Sequence, residues 1–375
     1  MSVSGVALAG SWKDRSPYNM RPGVTEISQS VYDLHMSILW ICAAIGVVVF
    51  SLMFYSMVKH RKSQGFQAAK FHESTSLEIA WTVVPFMIVI WMAYMATGTL
   101  VKMYDTSDSA LTVKVTASQW KWHYEYLAYE DKADIGVGFY SVLSTPREQY
   151  DHLATPYSGP VDDEHYLLDV DNELVIPKDK KVRFLITSDD VIHAWAMPDF
   201  ALKKDAIPGF INELWTIVPK TGVYFGQCSE LCGKDHGFMP IKVRVVEQNE
   251  FDQWLDEKMV AAASGPDLTS FASLDEAVSH GQEIYSARCA MCHGGSGEGG
   301  MGGMVPAITG SAVVNGPVDA HISMVVNGSS RNPMMASYRD QLPPKDIAAV
   351  LTYQRNALGN STGDLIQPAD IEAAK

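Results

Sequence analysis

Two long uncharged segments lie near the start of the chain, at residues 38–58 and 79–100. Each is close to the ~20 residues that a helix needs to cross ~30 Å of hydrocarbon. Two buried helices of a soluble protein are the alternative, but their length and complete lack of charge argue against it. The pattern predicts a transmembrane helical hairpin over residues 31–105, preceded by an N-terminal tail over residues 1–30.

The loop between the two segments is basic. It contains Lys59, Arg61, Lys62 and Lys70, whereas the sequence outside the hairpin is acidic or mixed. Because Lys and Arg are enriched in cytoplasmic loops, both termini are predicted to lie on the other side of a bacterial inner membrane, in the periplasm.

After residue 110 the hydrophobic pattern changes to a period of two. Leu111, Val113 and Val115 alternate with polar residues, as in a half-buried strand. Turns rich in Gly, Pro and Asp separate similar segments, at residues 166–169, 174–177, 182–186, 214–218 and 241–246. This repetition predicts a β-sandwich or barrel over residues 106–250. Residues 128–164 lack the pattern and are predicted to form a long loop.

Composition and charge narrow the function. The chain has 375 residues, enough for two or three domains, and a net charge of −14. This charge argues against nucleic acid and anionic lipid surfaces, and it favours a basic protein partner outside the membrane. Four of the five cysteines form two close pairs in sequence, Cys228 with Cys232 and Cys289 with Cys292. Such pairs are typical of metal or cofactor ligands and not of a disulfide framework.

The first pair begins a segment with the spacing C-x₃-C-x₃-H-x₂-M, which contains Cys228, Cys232, His236 and Met239. Thiolate, thioether and imidazole together favour copper. Zinc is the alternative, but zinc sites do not use Met. A blue-copper site uses one Cys, so two bridging thiolates fit two coppers better, each with its own His. His193 is the upstream candidate for the second His.

The second pair belongs to Cys289-Ala-Met-Cys292-His293, the attachment motif of a c-type haem, with His293 as the proximal iron ligand. A C-x-x-C redox pair is the alternative, but no βαβ pattern surrounds the motif. A distal Met would raise the reduction potential, and Met334 and Met335 are the candidates. A cytochrome c domain is therefore predicted over residues 276–362, between a linker over residues 251–275 and a C-terminal tail over residues 363–375.

These motifs together resemble the subunit II family of haem–copper cytochrome c oxidases. That family carries H-x₄-P followed by C-S-E-x-C-G-x-x-H-x-x-M, and the chain matches every one of these positions. The resemblance implies a cupredoxin-like β-barrel with a dinuclear copper centre, CuA. The implied ligands are the bridging Cys228 and Cys232, the terminal His193 and His236, a weak Met239 and the backbone carbonyl of Glu230.

The resemblance also implies a magnesium ion at the interface with the catalytic subunit, held by the side chain of Glu230. A loop glutamate that contributes only its backbone is the alternative reading. The C-terminal part resembles the class I cytochromes c, all-α domains that are fused to subunit II in caa₃-type oxidases. In that register Met335, and not Met334, is the distal haem ligand.

Three further segments resemble patterns of the family. Glu78 in E-x-x-W-T-x-x-P is implied at the mouth of a proton channel of the catalytic subunit, and a simple helix cap is the alternative. Trp120 in Q-W-x-W-x-Y-E-Y is implied as an exposed residue through which electrons enter. Lys121 beside it occupies a position that is more often aromatic. Phe210 replaces the usual Arg of L-K-x-D-A-I-P-G-R-x-N, which removes an expected polar link toward the catalytic subunit.

The resemblance implies a multidomain membrane protein that is the electron-transfer subunit of a proton-pumping terminal oxidase. Electrons would enter at haem c from cytochrome c or a bc₁-type complex, pass to CuA and continue to haem a of subunit I, which reduces O₂. Subunit III is a further implied partner, and the O₂-reducing site lies in another subunit. The alternatives are a CuA and haem c subunit of a nitric oxide reductase, and a membrane-tethered copper-delivery protein.

Overall fold

The computed structural model describes residues 18–67, 70, 72–146, 149–150, 159, 165–332 and 335–375. Three parts follow one another along the chain. A pair of long helices comes first, two β-sheets follow, and a group of short helices forms the C-terminal part.

The two long helices are α1 (Glu26–Lys59) and α2 (Thr75–Tyr104). Their most apolar windows have mean hydropathies of 2.5 and 1.9, and 0 % of either window is buried. Two apolar windows that are not buried within the protein need an apolar surrounding, which agrees with the predicted hairpin. Helix α2 contains Pro85, which membrane helices tolerate.

Both helices are longer than the uncharged segments. Helix α1 has 34 residues and α2 has 30, so at 1.5 Å per residue both exceed the ~30 Å hydrocarbon layer. A capping box starts α1 early, because Thr25 and Ser28 satisfy each other's backbone N–H groups. The extra turn carries polar side chains such as Gln29, which donates to Asp33.

The β domain consists of two five-stranded sheets with a common core. The strand order is β3-β2-β1-β5-β8 in one sheet and β4-β10-β9-β6-β7 in the other. The strands are β1 (Leu111–Ser118), β2 (Lys121–Tyr129), β3 (Lys132–Ser141), β4 (Leu174–Pro177), β5 (Lys181–Ser188), β6 (His193–Met197), β7 (Leu202–Ala206), β8 (Asn212–Ile217), β9 (Gly222–Cys228) and β10 (Pro240–Val246). The predicted barrel domain is confirmed as a cupredoxin-like fold, with the aromatic rings of β2 on its buried face.

Two local predictions in this domain were wrong. Residues 132–141 form β3 and not a loop. Ile135 and Val137 give this strand a buried face, and its backbone pairs with β2. Glycines and charged residues on the other face hide this alternation in the sequence. Residues 166–169 form no strand, and only an isolated bridge between Leu143 and Val170 lies beside them. Residues 151–158 and 160–164, the remainder of the predicted loop, lie outside the described residues.

Helix α3 (Gln248–Ala263) packs on the β domain. Its Phe251 and Leu255 are buried in the same core as the sheets. The first half of the segment predicted as a linker therefore belongs to the β domain, and the extended connection covers only residues 264–273.

The C-terminal part is all-α. It contains α4 (Leu274–Ile284), α5 (Ala290–His293), α6 (Val318–Asn327), α7 (Pro344–Asn356) and α8 (Pro368–Ala373). Helices α4 and α7 cross closely at Gly281, where an added Cβ would lie 2.1 Å from the carbonyl oxygen of Ala349. Helix α8 buries Ile371 against α7, so the predicted tail over residues 363–375 completes the core of this domain.

Candidate copper and haem sites

The sheet that contains β6, β9 and β10 brings the candidate copper ligands together. Strand β9 ends at Cys228, and β10 begins directly after Met239. Strand β6 begins at His193 and pairs with β9, with Trp195 opposite Cys228. The two strand ends therefore converge, and the loop over residues 229–238, called the copper loop below, closes around them.

The distances follow the implied pattern of ligation. The Sγ atoms of Cys228 and Cys232 lie 3.9 Å apart. His193 Nδ1 lies 3.9 Å from Cys228 Sγ, and His236 Nδ1 lies 3.4 Å from Cys232 Sγ. Each cysteine thus has one imidazole beside it. The remaining two groups also lie close, with Met239 Sδ 3.6 Å from Cys232 Sγ and the Glu230 carbonyl oxygen 3.4 Å from Cys228 Sγ.

The donor set fits a dinuclear copper centre. The ligand atoms of His193, Cys228 and Cys232 all lie within 4.8 Å of one another, and all three residues are buried. Two thiolates and a thioether are soft donors that suit copper, and the second imidazole supplies a separate terminal ligand. Zinc does not account for the Met beside the pair.

Of the two cysteines at this site, Cys228 loses its proton more readily than Cys232. Burial alone raises the pKa of Cys228, but hydrogen bonds from His193 and from backbone N–H groups outweigh it and give a pKa of about 7. Burial, together with the neighbouring Cys228 thiolate, raises the pKa of Cys232 to about 12. Metal ligation needs both thiolates and releases their protons, so copper affinity rises with pH.

Asp190 orients His193 from behind. Its Oδ1 lies 3.0 Å from His193 Nε2, which leaves Nδ1 directed toward the cysteines. Partial burial alone would raise the pKa of Asp190, but hydrogen bonds from His193 and from the N–H groups of Gln119 and Val191 hold it below its usual value.

The loop carbonyl of Cys232 is fixed by two side chains from the turn between β1 and β2. Gln119 Nε2 donates to it at 2.8 Å, and Trp120 Nε1 donates at 3.3 Å. Gly233 follows with a φ of +119°, and an added Cβ would lie 2.9 Å from Gln119 Nε2 and 3.1 Å from the Trp120 ring. Only glycine allows this close approach. Trp122 anchors the end of the loop by donating to the carbonyl of Met239.

Trp120 is only 3 % exposed, so the expectation of an exposed residue was wrong. The ring belongs to the β-domain core, and Met291 and Cys292 of the haem-attachment segment pack against that core. The face that the resemblance assigns to an external donor is therefore adjacent to the chain's own cytochrome c domain.

A cavity in the C-terminal domain brings together Cys289, Cys292, His293 and Met335. His293 Nδ1 lies 3.0 Å from the carbonyl oxygen of Pro306, which fixes the ring and leaves Nε2 as the free ligand atom. Apolar residues such as Val305, Ile308 and Val350 line much of the remaining wall. Two attachment thiols, an oriented imidazole and a thioether in one apolar cavity fit a covalent haem.

Sequence reasoning missed one thioether. Met324 on α6 also lines the cavity, although it lies outside any recognised motif. Met334 lies outside the described residues. Asp190, Gln119 and the Pro306 carbonyl were missed as well, because their roles depend on contacts between distant segments.

The other predicted site residues lie on surfaces. Glu78 accepts a hydrogen bond from the backbone N–H of Ser74 at 3.2 Å, the geometry of a helix cap. The Glu230 side chain is half-buried at the edge of the copper loop. Phe210 is 67 % exposed, and the neighbouring Ile211 is 63 % exposed. An apolar surface thus stands where the family pattern has an Arg.

Known proteins match the chain in three segments. Residues 111–246 match the periplasmic domain of cytochrome c oxidase subunit II, and residues 14–97 match its transmembrane domain. Residues 276–353 match subunit III of cbb3-type cytochrome c oxidase.

Individual proteins are similar to parts of the chain. The probable cytochrome c oxidase subunit 2 of Rickettsia bellii is 39 % identical over 270 residues, which is 71 % of this chain and 94 % of that protein. The cytochrome c oxidase subunit 2 of Cereibacter sphaeroides is 34 % identical and covers 63 % of this chain and 78 % of its own length. The solved periplasmic domain of subunit II from Bradyrhizobium japonicum is 43 % identical, with a TM-score of 0.34, and covers 42 % of this chain and 98 % of its own.

Proposed function

Because this chain belongs to the cytochrome c oxidase subunit II family, we propose that it is the electron-transfer subunit of a caa₃-type terminal oxidase. Its cytochrome c domain receives electrons from a soluble cytochrome c or a bc₁-type complex. Its copper domain passes them to subunit I, with subunit III as a further partner. The redox domains lie on the periplasmic side of a bacterial inner membrane.

The observation that carries the proposal is the copper-site geometry. Two cysteine sulfurs lie 3.9 Å apart, and each has its own imidazole. When bound, a copper pair and a haem each accept and release one electron. The chain's residues supply the conditions for this: burial excludes water, Asp190 fixes one imidazole, and the Pro306 carbonyl fixes another. Fixed ligands keep the structural change small when the charge changes.

The same burial argues against copper delivery. His193 is 0 % exposed, and Cys228 and Cys232 are 6 % and 3 % exposed. A delivery site must present its ligands to a partner protein, whereas these ligands are enclosed by the barrel end and the loop. Permanent retention of the metal suits electron transfer.

Four assigned roles belong to this proposal. Met335 is the distal haem ligand, and Trp120 lies on the route from the cytochrome c domain to the copper site, since it donates to the Cys232 carbonyl. The Glu230 side chain binds magnesium at the interface with subunit I. Glu78 delivers protons to subunit I from the cytoplasmic side.

Metal analysis of the assembled complex tests the proposal. We expect two coppers in this chain for each covalent haem c, with a mixed-valence paramagnetic signal in which one electron is shared. One copper per haem c, with a single-copper signal, would contradict the dinuclear assignment. Consumption of nitric oxide in place of O₂ would assign the complex to the nitric oxide reductases.

A variant of the copper loop tests whether electrons from haem c pass through the copper domain. Cys232→Ser should abolish the mixed-valence signal, retain the haem c spectrum and stop reduction of subunit I by reduced haem c. Ser229→Ala, on the same loop, is the matched control and should behave like the unaltered complex. Unimpaired reduction of subunit I in Cys232→Ser would remove the copper domain from the route.

A further inference from the structure

An ion pair joins the cytochrome c domain to the copper domain. Arg288, which directly precedes the haem-attachment residue Cys289, donates from Nη2 to Asp171 Oδ2 in the segment before β4. The side chains are only 15 % and 30 % exposed, so water screens this pair less than a surface ion pair.

The side chain of Asp171 is held in place by contacts within the copper domain. Its Oδ1 accepts hydrogen bonds from the backbone N–H groups of Val142 and Asn172, both at 2.8 Å. Oδ2 is left for the guanidinium. A fixed acceptor loses little side-chain entropy when its partner docks, which strengthens the contact.

Arg288 also connects this contact to the distal side of the haem cavity. Its backbone carbonyl accepts a hydrogen bond from the Tyr338 hydroxyl at 3.2 Å. Tyr338 lies three residues after Met335, and both residues line the cavity. The residue that holds the copper domain is thus bonded to both the attachment segment and the loop of the proposed distal ligand.

Lys121 places a second cation beside this interface. It directly follows Trp120, a member of the core against which Met291 and Cys292 of the haem-attachment segment pack, and its Nζ lies 5.8 Å from the centre of the Tyr140 ring. Burial, followed by the nearby Arg288, lowers the pKa of Lys121 to about 8, although Asp190, Asp189 and Cys292 act in the opposite direction. Desolvation of this ammonium group opposes docking.

We propose that the Arg288–Asp171 ion pair is a latch that docks the cytochrome c domain on the copper domain, that the cation of Lys121 opposes it, and that their balance sets the rate of electron transfer between the domains. The inference rests on the proposed function. The step moves one electron from the reduced haem c to the oxidised copper pair, and no bond or proton is exchanged.

The test uses the assembled, fully loaded complex. Haem c is reduced by a light pulse with a photoreductant, and the absorbance of both centres is followed at low and high ionic strength. In Asp171→Asn the docked population should fall. The rate constant of electron transfer from haem c to the copper pair should then drop by about 10- to 100-fold, as expected for one lost hydrogen bond to a charged group. The difference between Asp171→Asn and the unaltered complex should persist at high ionic strength, because an ion pair that is mostly buried is screened little by salt.

Lys121→Met removes the opposing charge but keeps an unbranched apolar side chain. Combined with Asp171→Asn it should restore part of the lost rate. Asp169→Asn is the matched control, because Asp169 lies two residues away and pairs with Lys242 inside the copper domain at 2.8 Å. It should leave the rate unchanged.

Two results would overturn the proposal: an unchanged rate in Asp171→Asn at both ionic strengths, or a rate in Lys121→Met that falls as in Asp171→Asn. The copper and haem spectra and potentials must match those of the unaltered complex, which separates weaker docking from a damaged site. If Asp171→Asn does not assemble, Arg288→Lys provides the same test from the other side, since lysine lacks the planar fork. Absence of any haem-to-copper transfer in the unaltered complex would instead contradict the proposed function.

Discussion

Asp190 offers the sharpest test of the copper-site geometry. Its Oδ1 accepts from His193 Nε2 at 3.0 Å and from the Val191 N–H at 2.6 Å, while Oδ2 accepts from the Gln119 N–H at 2.7 Å. Asp190→Asn keeps the shape but replaces one acceptor oxygen with an NH₂ group. At least one donor, His193 Nε2–H or Gln119 N–H, then loses its acceptor.

The size of the effect follows from these contacts. A hydrogen bond to a charged acceptor contributes about 1.5–3 kcal/mol, which corresponds to about 10- to 100-fold in an equilibrium constant. Loss of a carboxylate that orients a metal-bound His typically costs about 10–100-fold in metal affinity, in agreement with this range. We therefore expect the copper dissociation constant of Asp190→Asn to rise by about one to two orders of magnitude.

The pH dependence of the copper-free protein gives an independent check. The pKa of Asp190 is lowered from its usual 3.8, so its carboxylate stabilises the fold above that pH. This stabilisation is lost as the pH falls through the lowered pKa. The stability deficit of Asp190→Asn should thus be complete at neutral pH and shrink in acid.

Copper titration of the metal-free chain against a competing chelator measures the affinity. Asp189→Asn is the matched control, because Asp189 is the adjacent aspartate and its hydrogen bond among the described residues runs from its backbone N–H to the Ala117 carbonyl. Equal copper affinity in Asp190→Asn and Asp189→Asn would refute the reasoning, because it would mean that the orientation of His193 does not depend on the carboxylate.

Three further predictions concern other parts of the chain. Met335→Ala should abolish the Met–iron absorption band and lower the haem potential, whereas Met324→Ala should do neither; the reverse result would move the distal ligand to α6. Glu78→Gln should lower steady-state O₂ consumption without slowing reduction of the copper centre. Normal turnover in a well-assembled complex would contradict the proton-delivery role and leave Glu78 as a helix cap. A topology reporter after Lys62 should be cytoplasmic and one after Ser264 periplasmic, and the opposite orientation would contradict both cofactor motifs, since both cofactors are loaded outside the cytoplasm.

Features that depend on neighbouring residues were accessible from the sequence. The apolar helices follow from composition, and most of the candidate copper and haem ligands follow from short spacings such as C-x₃-C-x₃-H-x₂-M. Helix ends were less accessible: the Thr25 and Ser28 capping box extends α1 through residues whose polarity had excluded them. Strand β6 was missed because all five of its positions are buried, so it shows no alternation.

Features that depend on distant residues could not be read from the chain. Asp190 and Gln119 are 71 residues apart in sequence, and Arg288 and Asp171 are 117 apart, yet each pair forms a hydrogen bond. The burial of Trp120 is of the same kind. Its neighbourhood depends on how the loop at Gly233 folds over it, which no local pattern around the tryptophan contains.

Residues 120–122, where the turn after β1 leads into β2, combine several of these distant contacts. Trp120 and Trp122 are buried and donate to the carbonyls of Cys232, within the copper loop, and of Met239, directly after it. Lys121, between them, lies among charges that include Arg288 of the cytochrome c domain. Successive strand residues face opposite sides of a sheet, so one short segment supports the copper loop on its inner face and meets the haem domain on its outer face. Charge changes at Lys121 should therefore alter docking while the copper loop stays intact, and this separation lets the latch be tested without disturbing the metal.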